Sequence, residues 1–273
     1  MATRYSGQNV SLFTAAGIAL VSPGTNFTFA LTNEKTDAGL IARLGKNSQG
    51  VKTNGKLSVD LASIVSGSQR VSHINVTAFS IGGTSYLAVL KNFSLTATYD
   101  HVMQSGVGEK YGKPQVVAKD YQITVDLDVK ADDIKTLFDF LGGSDFSNND
   151  QTVLITVNSV TITIPMNLNE GTLNAQRYNL QQLSLSFDGG DPGAGNYPTA
   201  PTGTSTILEK ALNAPTTEMA FGFQNVASAD THGINASGTC VFDSFSFKVT
   251  DGQLVEETYG FATYGTVTLA ASS

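Results

Sequence analysis

Tryptophan is absent from this 273-residue chain, cysteine occurs once, histidine three times, and charged residues make up only 14% of it. Each scarcity excludes something. A single cysteine, Cys240, rules out an intrachain disulfide, and its alternating surroundings (Gly-Thr-Cys-Val-Phe) mark it as a small buried hydrophobe. The histidines, His73, His101 and His232, have no mutual spacing typical of a metal site, so no metal is expected. No apolar run approaches the roughly 18 residues that cross a bilayer, and the N-terminus lacks the charged-then-apolar pattern of a signal peptide. A protein made in a reducing cytoplasm, with no membrane partner, is the expectation.

The shortage of charge means that Ser, Thr, Asn, Gln and Gly must cover the surface. Uncharged hydroxyls and amides cost less to desolvate at an interface than ions do, which suits a protein with extensive contact surface. The net charge is −7, unevenly spread: residues 1–136 carry 13 Lys/Arg and 10 Asp/Glu, whereas residues 137–273 carry three basic residues and 13 acids. Sixteen dispersed cations in an acidic chain do not make the clustered basic surface that grips phosphates. The five glycosylation sequons (Asn9, Asn26, Asn75, Asn92, Asn235) are what a chain rich in Asn, Ser and Thr produces by accident.

Catalytic patterns are missing as well. Residues 106–112 (GVGEKYG) have the wrong spacing for a dinucleotide loop, and Pro114 follows where a helix should open. Asp188 and Asp191 lack the longer ligand series of a calcium loop and read as turn residues. Asp126 and Asp128 share the polar face of one strand without a supporting His or Glu, so an acid pair for hydrolysis is not indicated. No catalytic residue, cofactor site or metal site is expected, and the chain is read as a non-enzyme.

What is present is repetition. Residues 6–34 lie on residues 72–100 without a gap, and Ser6/Ser72, Asn9/Asn75, Val10/Val76, Phe13/Phe79, Gly17/Gly83, Asn26/Asn92, Phe27/Phe93 and Thr32/Thr98 are identical. A third echo, residues 242–251 (FDSFSFKVTD), has the same Phe-Ser rhythm. Recurring units with no catalytic motif between them belong to a building block.

Strand signals dominate the rest. Alternation marks residues 26–32, 92–99 and 121–129, the last with Ile123, Val125, Leu127 and Val129 on one face and Thr124, Asp126 and Asp128 on the other. Residues 152–157 and 160–164 flank Asn158-Ser159 as a hairpin, with Pro165 expected to end the second strand. Residues 183–187, 245–249 and 258–269 complete the list. One amphipathic helix is predicted near residues 132–141, where Ile134, Leu137, Phe138 and Leu141 form a single packing stripe. A weaker helical candidate covers residues 205–212.

The expected fold is mainly β, a β-sandwich or half-barrel with one short helix and possible internal duplication. Residues 1–188 would form a module, the Gly/Pro-rich residues 189–206 a loop or linker, and residues 207–273 a segment completing or duplicating it. Residues 101–120 are too long for a tight turn yet hold Val102, Met103, Val107, Tyr111 and Val116, as a loop seeking a partner surface would.

The succession of strand 92–99, long loop 101–120, strand 121–129 and helix 134–141 resembles the tail tube (major tail) proteins of long-tailed bacteriophages, as do the closing strands of residues 242–271. The resemblance covers about half the chain and rests on order and texture; the duplication and extra length depart from it. It implies a virion protein whose inner sheet joins those of its neighbours into stacked rings with a negative lumen through which DNA passes unbound. It further implies residues 101–120 as an inter-ring loop, residues 1–25 as an arm ordered by a neighbour, and Asp126 and Asp128 as lumen-facing acids. Other virion proteins would be its further partners. Two other classes fit the composition: a head decoration or collar protein, and a carbohydrate-binding β-sandwich using Tyr5, Tyr178, Tyr197 or Tyr264.

Overall fold

A computed structural model describes residues 12–15, 18–19, 24–37, 48–61, 71–104, 113–129, 150–158, 160–175, 181–189, 199–202, 207–213, 217–224 and 234–271. The fold is mainly β, with fifteen strands among the described residues in one antiparallel sheet. In chain order these are β1 (Leu12–Ala15), β2 (Ile18–Ala19), β3 (Gly24–Asp37), β4 (Ser48–Leu61), β5 (Val76–Ile81), β6 (Thr84–Ser85), β7 (Leu90–Gln104), β8 (Lys113–Val129), β9 (Asp150–Val157), β10 (Val160–Asn174), β11 (Gln181–Gly189) and β12 (Thr199–Thr202), followed by β13 (Met219–Gln224), β14 (Ile234–Thr250) and β15 (Glu256–Ala271). One short helix, α1 (Ile207–Asn213), precedes β13.

The repeat seen in the sequence is a repeat of structure. Adding 66 to β1, β2 and β3 lands on β5, β6 and β7, so Ala15 matches Ile81 and Asn26 matches Asn92. Pairing extends the match well beyond the similar residues. Strands run β3-β4-β15-β14-β13-β1-β2 in one unit and β7-β8-β11-β10-β9-β5-β6 in the other. Even the irregularities coincide: β14 shifts register between Phe242 and Ser244, and β10 between Leu168 and Glu170. One hydrogen-bond pattern recurs with them. Asn26 donates to Asp60 (3.1 Å), as does Thr258 (2.8 Å); Asn92 donates to Asp126 (2.9 Å), as does Ser184 (2.6 Å). The second unit is continuous, whereas the first is assembled from residues 12–61 and 219–271 around it.

Both units curl. Strands β7 and β5 are five steps apart in the sheet, about 24 Å if it were flat, yet the rings of Phe93 and Phe79 are 5.9 Å apart, edge to face. Likewise Phe29 of β3 meets Phe221 and Phe223 of β13 at 6.3 and 6.1 Å. The alternation read in the sequence sets what lies inside: Ile123, Val125, Leu127 and Val129 are buried. Cys240 is fully buried, and burial pushes its thiol up to about 12. Gly82 and Gly83, both at positive φ, make the tight β5–β6 turn, and Asn158 (φ 46°) helps turn β9 into β10.

Five expectations need correction. Residues 101–120 are mostly strand, since β7 runs to Gln104 and β8 starts at Lys113, with the pairs His101–Val116 and Met103–Pro114. A register shift between Asp100 and His101 disturbs the alternation there and hides the strand. Pro165 does not end its strand, because β10 continues to Asn174. It stands where one edge of β10 passes from β12 (last pair at Thr163) to β11 (first pair at Met166), so its missing N–H deprives no partner. Part of the Gly/Pro-rich stretch is strand β12, and residues 12–15 of the expected arm pair with β13 of their own chain. The third echo, residues 242–251, is not a third copy: it lies in β14 and pairs with β7.

The helix predicted near residues 132–141, with Ile134, Leu137, Phe138 and Leu141, lies outside the described residues. The weaker candidate is α1, which buries Ile207, Leu208, Ala211 and Leu212. Its last carbonyls, unpaired within a helix, accept from tyrosine hydroxyls: Tyr99 Oη donates to Ala211 O at 2.6 Å and Tyr121 Oη to Leu212 O at 3.5 Å. Tyr99→Phe therefore leaves a buried carbonyl without its donor and is expected to cost about 1–3 kcal/mol, read as a lower urea midpoint with an unchanged denaturant slope.

Candidate assembly edges

The two units are joined by strand pairing. Strand β14 is long enough to serve two neighbours on one edge: Asn235–Cys240 pair with β13, and Ser244–Thr250 pair with Thr98–Asn92 of β7. Strand β15 occupies the opposite edge from Ile234 to Lys248. Across this joint the inward side chains are sealed. Phe245, Phe247 and Val249 of β14 and Phe93, Leu95 and Ala97 of β7 are all buried, and Phe93 and Phe247 meet edge to face at 6.1 Å. A strap formed by residues 71–75 hooks over the β14–β15 turn, His73 N–H donating to Gln253 O (3.0 Å) and Val255 N–H to Val71 O (2.8 Å).

Charges close the same joint. Lys91 Nζ lies 3.0 Å from Asp251 and 3.2 Å from Asp128, with His73 Nε2 3.7 Å from Asp251. The hydrogen bonds to Asp251 and Asp128 hold the Lys91 ammonium above its ordinary value, and Lys91 lowers the Asp251 carboxyl in turn. These side chains line a cavity of about 460 Å³ together with Leu87, Val89 and Val249. Its charges answer one another. Among the described residues no group of three or more His, Cys, Asp or Glu is placed to hold a metal ion.

Each partner in the joint has a counterpart with an open edge. Strand β3, equivalent to β7, pairs with β4 on one side and, among the described residues, with nothing on the other. Strand β10, equivalent to β14 after subtraction of 74, pairs with β9 only as far as Asn167; on that edge the stretch from Glu170 to Asn174 has no partner among the described residues. Exposure follows pairing. Leu31 is 37% exposed where Ala97 is 2%, and Leu173 is 39% exposed where Phe247 is 0%.

The residues singled out from the sequence fall elsewhere. Val102 is half exposed near the tip of β7, Met103 and Val116 lie in the paired strands β7 and β8, and Val107 and Tyr111 lie outside the described residues. Asp126 and Asp128 are on the face of β8 away from the core, but neither is free: Asp126 accepts from Asn92 and Ser184, and Asp128 pairs with Lys91. Tyr5, Tyr178 and Tyr197 lie outside the described residues, and Tyr264 stands opposite Thr239 on β15. The open edges themselves escaped notice, although the repeat pointed at one of them: the identities Asn26/Asn92, Phe27/Phe93 and Thr32/Thr98 bracket the β7 segment that pairs with β14.

Compared with protein-family models and with curated protein sequences, the chain matches none.

Proposed function

We propose that this chain is a non-enzymatic virion structural protein, a subunit that assembles edge to edge into rings stacked as the tail tube of a long-tailed bacteriophage. The observation that carries the reading is the joint between β7 and β14: two like units already pair sheet to sheet within one chain, and among the described residues the same kind of edge is left over at each end. Such edges are an aggregation hazard unless a defined neighbour covers them. A low-charge surface lowers the cost of desolvating that contact. A net charge of −7 suits a channel that DNA must traverse without sticking. With Asp126 and Asp128 engaged in the sheet, the lumen's negative field would rest on the overall acidity more than on those two residues.

Electron microscopy and light scattering of the purified protein test this. Rings and hollow filaments growing with concentration are expected. Closed rings that never elongate would favour a collar or decoration role instead, and a monodisperse monomer at high concentration would end the assembly reading.

A further inference from the structure

We infer that each chain makes one inter-unit joint within itself and the other with a second copy, the outer edge of β3 adding to the open stretch of β10 in the register that the β7–β14 joint dictates. The inference deepens the assembly reading and rests on it. Transferring the internal pairs by the two offsets converts Ser244–Thr98 into Glu170–Thr32, Phe245–Ala97 into Gly171–Leu31, Phe247–Leu95 into Leu173–Phe29, and Lys248–Ser94 into Asn174–Thr28.

The side chains support this register independently of the backbone. At the sealed joint a large residue opposes a small one (Phe245 and Ala97); at the open edges the sizes exchange, with Gly171 opposite Leu31. Phe247 opposite Leu95 becomes Leu173 opposite Phe29, again the same two residue sizes in reverse. The second exchange conserves volume, which a packed interior favours; the first keeps one large residue opposite one small one but is smaller by four side-chain carbons. They would also place Leu31 and Leu173, two of the seven large hydrophobics exposed among the described residues, on one shared inner face. The outward residues Thr28, Ala30, Thr32, Thr172 and Asn174 carry no charge, and Glu170, exposed at the end of the ladder opposite Thr32, is the one ionic group along it.

The edge and the slot are different surfaces of one chain, so the contact is head-to-tail and yields a ring where its rotation closes. Every ring would contain twice as many units as chains, with joints alternating between internal and intermolecular.

Cysteine trapping tests it. In a Cys240→Ala background, chains carrying only Thr28→Cys are mixed with chains carrying only Asn174→Cys under mild oxidation. Directly opposed residues of an antiparallel pair have Cβ atoms about 4.5–5.5 Å apart, so a mixed disulfide-linked dimer is expected. Thr28→Cys with Thr172→Cys, two residues out of register, should trap at most a tenth as much. Separately, Leu31→Lys should raise the concentration needed for assembly about a hundredfold, with an unchanged circular dichroism spectrum and melting temperature. Assemblies that form normally without mixed dimers would overturn the pairing while leaving the assembly reading intact. A chain that stays monomeric throughout would overturn both.

Discussion

Phe247→Ala is expected to destabilise the chain by about 3–5 kcal/mol, the range for removing a fully buried aromatic side chain. Phe247 is 0% exposed, pairs with Leu95 across the joint, and packs edge to face on Phe93, which in turn meets Phe79. Deleting its ring opens a cavity where three strands of two units converge, and the rigid ladder on either side leaves little room for collapse. The equivalent position in the second unit is Leu173, which is 39% exposed. Leu173→Ala should therefore cost under about 1 kcal/mol in dilute monomer, as surface changes do. Urea unfolding at low protein concentration measures both. Comparable losses at the two positions would mean that the edge of β10 is already covered within the chain.

The second large effect concerns pH. Glu257 is 1% exposed, accepts a hydrogen bond from Tyr259 at 2.6 Å, and leaves its other oxygen without a partner. Burial raises its carboxyl well above the ordinary range, the Tyr259 hydrogen bond opposing this in part. The unfolded chain ionises the same group near about pH 4.3. Above that pH the unfolded state gives up a proton that the folded state keeps, so the stability is fully present below it and is lost as pH rises through the folded-state value. The limiting slope is about 1.4 kcal/mol per pH unit. Glu257→Gln keeps the acceptor for Tyr259 and removes the titration. Its unfolding free energy should overtake that of the parent as pH rises from 5 to 8, and parallel pH profiles would refute the assignment. In the second unit the matching positions hold Leu183 and Leu185, both buried, so the ionisable pair belongs to the first unit alone.

Much of the fold was legible because a half-buried strand writes its burial as alternation. Residues 121–129 were read with the face that proves buried, and residues 183–187 were read as strand. The duplication was legible where the two copies kept the same residues, through β3 and β7. It was not legible in β10 and β14, or in β11 and β15, where the copies share pairing, bulge and burial but little sequence. Residues 101–120 were misread because a bulge breaks the period on which strand recognition depends. The open edges were missed for a different reason. A strand's sequence records which face is buried and says nothing about which of its two hydrogen-bonding edges has a neighbour.

By itself, then, the sequence determined a β-rich chain built on a repeated unit, with low surface charge and no ingredients for a disulfide. Those properties follow from composition and local period, each of which is a matter of neighbouring residues. Only the tertiary structure decided that the second unit is inserted within the first, that β7 closes onto β14, and that β3 and part of β10 have an edge with no neighbour among the described residues. These are pairings between residues far apart along the chain, such as Leu61 with Glu257 and Asn92 with Thr250. They are selected by how the curled sheets fit together, and no local pattern encodes them.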